Sequence, residues 1–89
     1  MRQEADVMEL TIRVLLGGTL TTRRAADIAE QMKRYEARVL LRRANITVNA
    51  KSLMGLVTLG LRDGMAVTIL AQGEDEALAA QQLSALLGA

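Results

Sequence analysis

The chain of 89 residues has no histidine, cysteine, proline, phenylalanine or tryptophan, and Tyr35 is its single aromatic ring. Each absence closes off a class of function. Without cysteine there is no disulfide, thiolate nucleophile or thiolate-bound metal; without histidine, only carboxylates remain to hold a metal. A metalloenzyme is not expected, and no cofactor is implied. One ring cannot build the stacking platforms of single-strand nucleic-acid modules, and a net charge of +1 gives no global field for a polyanion. Direct nucleic-acid binding is therefore not expected, although arginines gather at Arg23-Arg24, Arg34, Arg38 and Arg42-Arg43. No apolar run approaches the ~18–20 residues of a membrane span, and the charged start MRQEADVMEL is unlike a signal core. The expectation is a soluble, cytoplasmic protein without a membrane partner.

Hydrophobic residues make up 51% of the chain, enough for one packed domain, 1–89, with a core of Leu, Val, Ile, Met and Ala. From Val7 to Leu16, the apolar Met8, Leu10, Ile12 and Val14 alternate with Glu9, Thr11 and Arg13, the period of a strand with one buried face. Gly17 and Gly18 break it. Thr21 or Thr22 then caps a helix running to about Arg34, whose Ala25, Ile28, Ala29 and Met32 recur at helical spacing. Ala37–Arg42 and Asn45–Ala50 read as a hairpin turning near Arg43-Ala44, with poor turn chemistry. Ser52 caps a short helix, LMGLVTL, stopped by Gly60; Arg62-Asp63-Gly64 turns into a strand over Met65–Ala71. Gly73-Glu74-Asp75-Glu76 places acids at the start of a last helix reaching about Leu87. The order βαββαβα predicts an α+β two-layer fold, with a mostly antiparallel four-stranded sheet covered on one face by three helices.

Two stretches carry candidate chemistry. GGTLTTRRAA places two glycines, three threonines and two arginines where a strand hands over to a helix, so Thr21, Thr22, Arg23 and Arg24 are anion-binding candidates. The plainer reading is a threonine cap with solvated arginines, and the stretch lacks the Gly-Lys-Ser/Thr ending of a nucleotide loop. In the second stretch, Ser52 at a helix start is either a cap or a site where added phosphate sits against the helix dipole. Leu53, Met54, Leu56, Val57 and Leu59 cover more of that helix than one buried face requires, so Lys51, Leu53, Met54 and Leu56 are partner-docking candidates. Arg38, Arg42 and Arg43 read as a solvated or ion-paired surface, or as a contact for an anion or an acidic protein. Glu74, Asp75 and Glu76 read as cap and dipole residues.

The segments LTTRRAADIAEQ, AKSLMGLVTLGL and AQGEDEALAA resemble HPr, the histidine-containing phosphocarrier family of the bacterial sugar phosphotransferase system. The likeness runs over essentially the whole chain. It implies the open-faced β-sandwich of that family, and no enzymatic activity. Its most specific part, Lys51-Ser52-Leu53-Met54-Gly55-Leu56, resembles the HPr segment whose serine an ATP-dependent kinase modifies. The chain departs from the family at the phosphorylated histidine, where Thr21 stands, and at the following proline, where Arg24 stands; Arg23 matches the phosphate-contacting arginine. A threonine ester lacks the transfer potential of phosphohistidine, and Arg23 and Arg24 are not bases that would activate the hydroxyl. The resemblance is therefore to the catabolite-repression HPr variant, which also lacks the histidine. It implies phosphorylation of Ser52 by an HPr kinase/phosphorylase and binding to a LacI-type transcription factor. A phosphocarrier with altered active-site residues and a degenerate protein-binding module remain the alternatives.

Overall fold

In the computed structural model, which describes residues 7–89, strand β1 (Met8–Arg13) is followed by α1 (Thr22–Met32). The hairpin β2 (Arg38–Arg43) and β3 (Ile46–Asn49) comes next, then α2 (Leu53–Thr58), β4 (Ala66–Gln72) and α3 (Glu76–Leu86). The four strands lie in the order β1-β4-β2-β3, and all three pairings are antiparallel. Val39 and Leu41 of β2 and Val67, Ile69 and Ala71 of β4 point to one face, where they are fully buried with Ile28 and Met32 of α1, Leu56 of α2 and Leu83 of α3. Among the described residues the sheet's other face carries no helix. The fold is the open-faced sandwich of the HPr type.

The elements are somewhat shorter than their sequence patterns. Val14, Leu15 and Leu16 continue the apolar pattern of β1 past the ladder: Val14 N–H still meets the Met65 carbonyl in register, but Gly64 and not Met65 donates back to Val14, and Leu15 N–H turns to the Leu87 carbonyl. In the hairpin, Arg43 pairs with Ile46, so the turn is Ala44-Asn45. Its weakness is now explicit: Ala44 sits at φ +54°, the left-handed region that glycine adopts without strain. Replacing Ala44→Gly is expected to raise stability by up to about 1 kcal/mol. The readout is a higher urea midpoint at unchanged slope.

Candidate functional site

The segment joining β1 to α1 is zipped onto the turn before β4. Leu20 N–H donates to the Leu61 carbonyl at 2.8 Å and Asp63 N–H to that of Gly18 at 3.1 Å. Gly17 and Gly18, at φ +78° and +139°, shape a nest of successive amides. The nest is already filled. One Asp63 carboxylate oxygen accepts from the backbone N–H of Leu16 and of Gly17 (3.1 Å), and the other from Gly18 N–H (2.9 Å). The glycine amides that a phosphate loop would offer thus bind an internal carboxylate. Truncating Asp63→Ala removes the charged acceptor of three backbone amides, leaving them to water, and is expected to cost about 1–3 kcal/mol in thermal or urea unfolding.

Past this latch, Thr21 is the N-cap of α1, its Oγ1 accepting from Arg24 N–H at 3.1 Å, while Thr22 opens the helix. Thr21, Arg23 and Arg24 are exposed and line a shallow depression of about 550 Å³ with Ala26, Asp27 and Glu30. Two carboxylates share the depression with the arginines. Neither acid reaches the threonine as a base. Asp27 accepts from Gln31 Nε2 at 3.2 Å, and Glu30 is paired with Lys33 at 2.8 Å, which lowers the Glu30 pKa.

Ser52 stands at the other end of α2, roughly 10–12 Å along its axis from the Leu20–Leu61 contact beside Thr21. It is the N-cap, half-buried, with Oγ accepting from Gly55 N–H at 3.1 Å. Gly55 is needed for close packing, since a Cβ there would lie 3.0 Å from Val48 Cβ and 3.3 Å from the Asn49 carbonyl. Of the docking candidates, Met54 is 70% exposed and Leu53 half-buried against the core. Leu56 is completely buried and cannot be part of a docking surface; the apolar excess on α2 is split between a buried side, Leu56 and Leu59, and an exposed side, Met54 and Val57. Lys51 is not a free cation either. Its Nζ donates to the Tyr35 carbonyl at 2.7 Å, tying the approach to Ser52 to the end of α1.

The acids before α3 divide their roles differently from the expected cap. Asp75 makes no side-chain cap; its carboxylate accepts from Glu36 N–H (3.0 Å) and Ala37 N–H (2.8 Å), fastening α3 to the entry of β2. Glu76 reaches back to Gly73 N–H at 3.0 Å. The two amides, Glu36 first, hold the Asp75 carboxyl below its ordinary pKa. Stability from this contact is therefore fully present above the unfolded value near 4 and is lost as pH falls through the lower folded value. Unfolding midpoints measured between pH 5 and 2 are expected to fall less steeply in Asp75→Asn than in the parent chain.

Asp63, Asp75, Lys51 and Arg43, whose Nη1 donates to the Leu59 carbonyl at 3.2 Å, are the organising residues that sequence reasoning missed. Apart from Lys51 and Arg43, 16 residues from their partners, they act on backbone roughly 40 residues away, where no local pattern marks them.

Residues 8–89 match the family model described as the PTS HPr component phosphorylation site. The chain is 38% identical over 79 residues to the HPr-like protein Crh of Bacillus subtilis, covering 89% of this chain and 93% of that one. Among solved structures, a phosphocarrier protein HPr from Bacillus anthracis superposes with a TM-score of 0.86 at 31% identity, covering 91% of this chain and 96% of that one. The Bacillus subtilis catabolite-repression protein Crh, crystallised as a domain-swapped intertwined dimer, gives 0.72 at 37% identity, covering 98% of this chain and 93% of that one. A family model over nearly the full length, and relatives alike in sequence and in fold, lead to one conclusion: the chain belongs to the HPr family of phosphocarrier and HPr-like proteins, which are not enzymes.

Proposed function

We propose that this protein is a regulatory HPr-like protein of carbon catabolite control, switched by phosphorylation of Ser52, and not a carrier of phosphoryl groups in transit. The observation that carries the reading is the combination at α2: a serine N-cap with the exposed Met54 and Val57 beside it, in a chain without any histidine to carry a labile phosphate. A phosphate on Ser52 adds close to two negative charges at the positive end of a helix, where the free amides favour it. It creates a recognisable anionic patch next to an apolar one while leaving the scaffold in place. Thr21, in the position corresponding to the family histidine, serves as a helix cap.

An HPr kinase/phosphorylase is the proposed modifying enzyme and a LacI-type transcription factor the proposed cytoplasmic partner, by analogy with the catabolite-repression member of the family. Among the described residues no helix is long and apolar enough to cross a membrane. Incubation with ATP and that kinase tests the reading: one acid-stable phosphate is expected by intact mass, absent in Ser52→Ala. Finding no modification of the folded parent chain, or an unchanged yield in Ser52→Ala, would overturn it. Met54→Glu is expected to weaken partner binding at least tenfold while shifting the melting temperature by only a few degrees, because the side chain is 70% exposed.

A further inference from the structure

The helix-free face of the sheet has a pattern that the Ser52 reading does not use. In the register, Glu9 (β1), Leu70 (β4), Leu40 (β2) and Asn49 (β3) form one transverse row on this face. Thr11, Thr68, Arg42 and Thr47 form the next row, and Thr11 and Thr68 join their hydroxyls at 3.1 Å. On the other side of the leucines, Arg38 pairs with Gln72. The result is an open depression of about 630 Å³ lined by Val7, Glu9, Arg38, Leu40, Arg42, Leu70 and Gln72. Half-buried Leu40 and Leu70 form its floor, and two guanidinium groups stand four residues apart on β2. Among the described residues neither Arg38 nor Arg42 makes an ion pair. Glu9 on β1 is the one carboxylate in that lining, so the two arginines bracketing leucines on the interior strand β2 leave the face with an excess of positive charge.

We infer that this face docks an acidic amphipathic helix of a partner protein, which supplies in trans the third layer that the open sheet lacks. Spacing and charge select that occupant. Outward positions four apart on a strand are separated by about 13 Å. Carboxylates two turns apart on a helix lie ~10–12 Å apart, within the reach of flexible arginine side chains. Apolar residues midway between those carboxylates, on the same helical face, meet Leu40 and Leu70. A nucleic acid fits poorly, because the centre of the face is aliphatic and carries no ring to stack on. An anionic bilayer fits poorly, because Arg38 and Arg42 on a flat face give only about 1 kcal/mol each.

The probe is a synthetic helical peptide with the pattern Glu-x-x-Leu-Leu-x-x-Glu, titrated into the full-length chain with 13C-labelled leucine methyls. The expected result is saturable perturbation of Leu40 and Leu70 but not of Leu53, with affinity falling at least fivefold between about 50 and 300 mM salt. The double variant Arg38→Glu/Arg42→Glu is expected to lose at least tenfold in affinity while its melting temperature stays within a few degrees of the parent. A peptide with lysines in place of the glutamates is expected not to bind. Silence at Leu40 and Leu70 at millimolar peptide, perturbation centred on α2, or equal affinity of the double variant each overturns the inference. So does binding to anionic phospholipid vesicles in preference to the peptide. None of these outcomes bears on Ser52, which is read out separately by the kinase.

Discussion

Incubation with phosphoenolpyruvate and the general phosphotransferase enzyme is expected to leave the mass of this protein unchanged, under conditions in which an HPr with its histidine is fully phosphorylated. The reason is chemical before it is geometric. A phosphorylated imidazole is both a competent nucleophile's product and a good leaving group, whereas a threonine hydroxyl needs a base to attack and its ester does not give the phosphoryl group up readily. The geometry adds to the deficit. Thr21 Oγ1 accepts the Arg24 amide as a helix cap, and the two carboxylates in the same depression are engaged with Gln31 and Lys33. The double variant Thr21→His/Arg24→Pro supplies the imidazole and removes the Arg24 N–H, which loses its acceptor once Thr21 Oγ1 is gone and would otherwise compete for a ring nitrogen. It is expected to gain an acid-labile phosphate, and Thr21→His alone to gain less. An acid-labile phosphate on the parent chain at stoichiometric yield would sink both this prediction and the regulatory reading.

Gly73→Ala is expected to be among the most damaging single-methyl changes to stability, costing about 3 kcal/mol, or roughly 15 °C in melting temperature. Gly73 holds φ +146°, and a Cβ there would stand 2.7 Å from Ala37 Cα and 3.1 Å from Ala37 Cβ. Backbone cannot move aside as a flexible side chain would. The same segment carries the Asp75 bonds to Glu36 and Ala37, so any shift that relieves the clash stretches them. Gly64→Ala is the control: φ is +88°, yet nothing lies within 4 Å of the added methyl, so only the backbone penalty of about 1–2 kcal/mol is expected. A drop for Gly73→Ala no larger than for Gly64→Ala would show that the junction yields.

The element order and the buried faces were legible because they rest on short-range periodicity. Met8, Leu10 and Ile12 alternate as a strand must, and Ala25, Ile28, Ala29 and Met32 recur as one side of a helix must; both sets pack on the core as expected. Ser52 and Thr21 were legible as caps for the same reason, since each bonds an amide three residues on. The division of α2 was not: five apolar residues in seven do not say which one the fold will bury, and Leu56 went to the core while Met54 stayed out. Nor was the filling of the glycine nest, because Asp63 is 45 residues from even the nearest amide it holds and its local context reads as an ordinary turn. Nothing local in GGTLTTRRAA marks that the fold brings its own carboxylate to the amides of Gly17 and Gly18.

Tyr35, half-buried just past α1, hands its carbonyl to Lys51, beside the point where Asp75 grips Glu36 and Ala37. As the molecule's lone chromophore above 270 nm, it makes every ultraviolet fluorescence or near-UV dichroism trace a local gauge of that junction. Fluorescence and near-UV melts therefore follow the seam between the first helix and the second strand, and loosening elsewhere in the molecule passes unseen in them unless it travels to that seam.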